Sequence, residues 1–148
     1  MEHASYNDAY IREILENTRN IAMVGASDKS DRPSYGVMKY MQAKGYRVIP
    51  VNPSLAGKDI LGERVHASLS EIIIPIDMVD IFRNSDAAGP ITDDAIAVNA
   101  RSLWMQIGVQ NDDAAARAEA AGLMVVMNLC PKIEIPRLGI EIDRLCET

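Results

Sequence analysis

Cysteine is scarce in this chain of 148 residues: only Cys130 and Cys146 occur, and they form no CxxC pair. The two histidines, His3 and His66, stand far from both cysteines in sequence. Neither a zinc site nor a disulfide framework is therefore expected, and two reduced thiols fit better. Basic residues are also in the minority, since 15 Lys and Arg face 21 Asp and Glu for a formal net charge of -6. A nucleic-acid footprint needs a clustered basic surface, so that partner is not expected. An anionic small molecule stays open, because local backbone dipoles outweigh a mildly acidic surface. No apolar run approaches the roughly 20 residues of a membrane span. The first residues, Met1-Glu2-His3-Ala4-Ser5, lack the basic and apolar parts of a signal peptide. The expectation is a cytoplasmic chain with no membrane partner.

Internal repeats, low-complexity stretches and linkers are missing too, and the length suits one domain over residues 1–148. What the sequence does have is an alternation of short apolar runs with helical segments. That pattern predicts an α/β fold with a parallel sheet. A helix is expected over about Asn7 to Thr18, with Ile11, Ile14 and Leu15 on one face. Strands are expected at Ile21–Val24, Tyr46–Val51, Met78–Phe82, Leu103–Ile107 and Leu123–Met127. Between them, a helix begins at Pro33 and stops at Gly45, a second spans about Ile91 to Asn99, and a third starts behind Asn111 and ends at Gly122. The stretch from Ser54 to Asp77 reads poorly, with a short helix at Leu69 to Ile74. Residues 130–148 read as a tail whose Ile133, Ile135, Leu138 and Ile140 close the core or a dimer contact.

Five strands joined by helical crossovers make a doubly wound, Rossmann-like sheet with helices on both faces, and the expected strand order is 3-2-1-4-5. Ligands of such sheets bind beyond the carboxyl ends of the strands, beside strand one. That rule selects Gly25 to Ser34, Asn52-Pro53, Phe82 to Ser85 and Gln106 to Gly108.

The strongest local signal is a strand followed by Gly25-Ala26-Ser27, a loop and a helix start. Gly25 permits a sharp turn and a close backbone approach. Ala26 and Ser27 are small enough to leave amides accessible, and the hydroxyls of Ser27 and Ser34 suit phosphate oxygens. The helix N-terminus adds roughly half a positive charge. Arg32 and Pro33 stand at its mouth, where a guanidinium forks well onto phosphate. A nicotinamide dinucleotide fingerprint would need G-x-G-x-x-G and an acid after strand two. Here Ser27 and Ser30 replace the later glycines, and strand two ends in Asn52. No P-loop sequence occurs. Neither histidine falls in a predicted site loop, and Cys130 has no obvious base, so no catalytic constellation emerges.

Four stretches carry a resemblance: Val24-Gly25-Ala26-Ser27 with Arg32-Pro33-Ser34-Tyr35-Gly36; Val48-Ile49-Pro50-Val51-Asn52-Pro53; Val79-Asp80-Ile81-Phe82-Arg83; and Trp104-Met105-Gln106-Ile107-Gly108 with Cys130-Pro131-Lys132. Their order and spacing over about Asn20 to Leu138 resemble the small bacterial and archaeal CoA-binding protein family. That family is related to the amino-terminal CoA-binding domain of the succinyl-CoA synthetase alpha subunit. The resemblance implies that Gly25, Ala26 and Ser27 hold the CoA pyrophosphate, with Arg32 and Ser34 nearby. It places Asn52 and Pro53 beside the adenosine, and Phe82, Arg83 and Asn84 along the nucleotide and pantetheine arm. Gln106 joins them at the end of strand four. Asn99 departs from the family pattern, in which a glycine often ends that helix. The synthetase's phosphohistidine has no counterpart among these residues, so its ligase activity is not carried over. The expected function is non-catalytic binding of CoA or acyl-CoA, as a carrier, sensor or regulatory subunit that pairs with itself or a partner. The alternatives are an NAD(P)-dependent oxidoreductase or a minimal acyl-CoA transferase using Cys130.

Overall fold

The computed structural model describes residues 1–142. Cys146 and the end of the expected tail lie outside them. The chain opens with α1 (Asp8–Glu16), whose first turn is capped by the Asn7 side chain accepting from the Ala9 amide at 2.8 Å. Ile11, Ile14 and Leu15 recur at helical spacing and are buried at 1%, 4% and 0% exposure.

There follow β1 (Asn20–Val24), α2 (Pro33–Ala43), β2 (Arg47–Val51), a short hairpin of β3 (Asp59–Ile60) and β4 (Glu63–Arg64), β5 (Met78–Ile81), α3 (Ser85–Ala97), β6 (Ser102–Met105), α4 (Asp112–Ala120), β7 (Met124–Val126) and α5 (Pro131–Leu138). Five of the strands form one parallel sheet in the order β2-β1-β5-β6-β7. One face is covered by α1, α2 and α5 through Ile14, Leu15, Met38, Met41 and Ile135. The other is covered by α3 and α4, where Ala88, Ala95, Ala114 and Ala118 let the helices lie close to the strands. Both faces being covered explains why the strands read as continuous apolar runs rather than alternating ones.

The fold class is as the sequence implies, but the strand order is not. The expected order put the third long strand outside the second; instead β5 pairs with β1, giving 2-1-3-4-5 for the long strands. Pro50 supplies the reason. It sits within β2 and lacks an N–H, and its carbonyl points away from β1 to accept from the His66 amide at 3.0 Å. A strand with proline on that edge cannot take a full neighbour there. Among the described residues that edge takes a single bridge, Val51 to His66, before the chain returns across the sheet. By contrast β5 is buried along its whole length, as an interior strand must be.

Two further expectations change. The helix placed at Ile91 begins at Ser85, because Asn84 caps it by accepting from the Ala87 amide at 2.8 Å; Pro90 lies inside the helix. The tail holds α5, entered through Pro131 and ended by Gly139 in the left-handed conformation. Ile135 and Ile140 close the core, whereas Ile133 is 52% exposed. Trp104 is core as well: it is fully buried and donates from Nε1 to the Leu129 carbonyl at 2.8 Å.

Candidate functional site

The carboxyl ends of β1 and β5 lie side by side, and the turn leaving β1 must pass between β2 and β5. Gly25 makes that passage. Its φ is +91°, its amide donates to the Val51 carbonyl at 2.9 Å, and a Cβ here would lie 2.8 Å from the Phe82 carbonyl oxygen and 2.9 Å from Arg83 Cδ. Glycine is thus required twice, by conformation and by space. Asn52 braces the turn: its Nδ2 donates to the Ala26 carbonyl at 2.8 Å while its Oδ1 accepts from the Ser54 amide at 2.9 Å.

Ala26 is buried. The Ser27 amide donates to Ser34 Oγ at 3.1 Å, and Ser27 Oγ accepts from the Lys29 amide at 3.1 Å. The Ser27 amide is therefore engaged, not open as the sequence suggests. Both hydroxyls keep a proton to donate. Ser34 is buried at the start of α2, which Pro33 opens and Arg32 precedes. The two hydroxyls, the positive end of α2 and the residue Arg32 thus belong to one short stretch of chain, which suits an anion. Arg32 and Arg83 are both exposed, and among the described residues neither guanidinium has a hydrogen-bond or ion-pair partner.

Two clefts flank this turn. On the α3 side a cavity of about 280 Å³ is bordered by Val51, Pro53, Ser68, Leu69, Arg83 and Ile91. On the α2 and α5 side a second, of about 410 Å³, is bordered by Pro33, Val37, Phe82, Gln106, Cys130 and Ile133, and Arg83 reaches it too. All twelve sequence-selected residues thus gather at one end of the sheet. Asn84 serves mainly as the α3 cap and Asn52 as the brace. Sequence reasoning missed Ser68 and Leu69, which lie in the poorly read stretch, and Ile133, which lies in the supposed tail. The Cys130-Pro131 pair was the available signal, since proline at a first helical position marks a helix start.

Beneath the second cleft, Gln106 Nε2 donates to Asp80 Oδ1 at 2.8 Å. Asp80 is 1% exposed, and burial pushes its carboxyl up to about 7 against the downward pull of that bond. Burial also pushes the Cys130 thiol up, opposed by the nearby backbone N–H groups of Lys132 and Ile133 and reinforced by Asp80. The described residues hold no cluster of three or more His, Cys, Asp or Glu able to take a metal, and no helix among them is long and apolar enough to cross a membrane.

Known proteins share this architecture. The Bacillus subtilis (strain 168) uncharacterized protein YneT is 40% identical over 125 residues, covering 84% of this chain and 91% of that one. A hypothetical protein from Pyrococcus horikoshii OT3 superposes with a TM-score of 0.87 at 36% identity, over 95% of this chain and 100% of its own. The dinucleotide-forming acetyl-coenzyme A synthetase 1 of Ca. Korarchaeum cryptofilum matches 76% of this chain with 26% of its own length. At 21% identity and a TM-score of 0.65, that likeness shows the fold alone. The sequence profile of the CoA binding domain matches residues 19–136, so this chain belongs to the CoA binding domain family.

Proposed function

We propose that this protein binds CoA or an acyl-CoA without turning it over, the pyrophosphate lying on the Gly25–Ser27 turn and the N-terminus of α2. The observation that carries this reading is a pair of guanidiniums without a partner among the described residues, Arg32 just before α2 and Arg83 just after β5, with a glycine turn at the switch point of the sheet against which Arg83 packs. Family membership supports CoA as the anion. Arg83 borders both clefts, so one extended ligand crossing the turn meets it midway. In this reading the adenosine takes the cleft beside Pro53 and the pantetheine takes the cleft beside Phe82. Asn52 stands where a dinucleotide site would carry an acid, and its side chain is already spent on the turn.

Thermal denaturation of ligand-free protein with CoA, dephospho-CoA and NAD tests the proposal. CoA at 100 times its dissociation constant adds about 2.7 kcal/mol of stability. NAD stabilising more strongly than CoA, or no response to any CoA species, refutes it.

A further inference from the structure

One acceptor in the second cleft has nothing to accept from. Gln106 is 6% exposed, and its Nε2 is committed to Asp80. Its Oε1 has no partner among the described residues. None of their fully buried side-chain polar atoms is unsatisfied, so Oε1 opens onto the cleft that Gln106 lines. An acceptor left open at the wall of a cavity, on a side chain otherwise held in place, is suited to a ligand N–H.

Cys130 walls the same cavity. It precedes α5, a helix of 8 residues, with no side-chain hydrogen bond to that helix, and the nearby backbone N–H groups of Lys132 and Ile133 pull its thiol down against the larger effect of burial. Such amides stabilise a thiolate. The pantetheine arm of CoA ends in an amide N–H, two methylenes and a thiol. With that N–H on Gln106 Oε1, the ligand sulfur stands two carbons beyond it, within the cavity that Cys130 borders.

We infer that Cys130 captures the thiol end of CoA as a mixed disulfide, by exchange with a disulfide that contains CoA, and that Gln106 positions the arm. The inference rests on the CoA reading above. In the exchange, the Cys130 thiolate attacks the sulfur of the CoA half. The Cys130–CoA bond forms, the original S–S bond breaks, and its electron pair leaves with the other half. That half takes up the proton Cys130 released, so Cys130 is oxidised, the departing thiol is the reduced product, and the disulfide is the oxidant. One exchange loads one site, with no turnover. Burial keeps the free thiol sluggish toward reagents that do not dock, and docking supplies the reactive geometry.

The test uses the full chain carrying Cys146→Ser, so that Cys130 is the sole thiol. The protein is mixed with CoA disulfide or with cystamine, which has the same sulfur end but no nucleotide, and followed by intact-mass spectrometry. The expected result is one CoA adduct mapping to Cys130, reversed by dithiothreitol and formed at least about tenfold faster than the cystamine adduct, a lower bound on the gain from docking. Cys130→Ser abolishes it. Gln106→Leu lowers the ratio of the two rates, a readout that a general loss of packing would not move selectively. Equal rates for the two disulfides overturn the inference. So does the absence of adduct on protein that binds free CoA in the thermal assay, which leaves the CoA reading standing. If free CoA has no effect either, both fall.

Discussion

Asp80 lies on the central strand β5, 1% exposed, with Gln106 Nε2 as its hydrogen-bond donor at 2.8 Å. Burial raises its carboxyl to about 7, against roughly 3.9 in an unfolded chain. The folded protein therefore keeps a proton that the unfolded chain has released. The resulting stabilisation is fully present below pH 4, shrinks as pH rises toward 7, and is gone above it. A gap of about 3 units at 1.36 kcal/mol each makes the loss about 4 kcal/mol. Asp80→Asn removes the charge, keeps the shape, and retains an oxygen for Gln106. It is expected to gain on the parent protein with rising pH, by about 1.4 kcal/mol per unit between pH 5 and 6, and to level off above pH 7. Urea denaturation followed by circular dichroism from pH 4.5 to 8.5 measures both proteins. The difference between their curves cancels the other titrating groups. A difference that stays flat across this range would refute the reasoning.

Gly25→Ala forces a side chain into a backbone at φ +91° and against the Phe82 carbonyl at 2.8 Å. The strained conformation alone costs about 1–3 kcal/mol, so urea denaturation is expected to show a loss of at least that size, together with loss of CoA binding. Arg32→Ala removes an exposed guanidinium with no partner among the described residues, and is expected to leave ligand-free stability within about 0.5 kcal/mol. Titration calorimetry should show CoA affinity down about tenfold, the loss of one charge-assisted contact; equal affinity takes Arg32 out of the site.

Most of the fold is legible in the sequence because local chemistry and tertiary context agree. Asn7, Asn111 and Pro33 announce helix starts that the structure keeps. The five long strands are apolar runs of the right length. The failures arise where a signal has two meanings. The expected helix starts at about Ile91, just behind Pro90, yet the true cap is Asn84, whose side-chain acceptor outweighs one missing N–H in the second turn. Pro50 falls inside the expected strand Tyr46–Val51, where it is the mark of an edge. The two-residue strands β3 and β4 carry too few residues for any period to be seen.

The change in strand order does not move the expected site to another part of the sheet, for a physical reason. Whether β5 or another strand flanks β1, the carboxyl end of β1 remains where the helices on the two faces diverge, so Gly25 to Ser34 face the opening in either order. What the order does decide is the neighbour. With β5 beside β1, Phe82 and Arg83 lie against Gly25, so closely that a Cβ there would stand 2.8 Å and 2.9 Å from them. Under the expected order the third strand would have carried Arg83 two strands away from the turn. The guanidinium at the junction of both clefts is thus a product of the crossover after β2, and Pro50 is the residue that forbids the alternative.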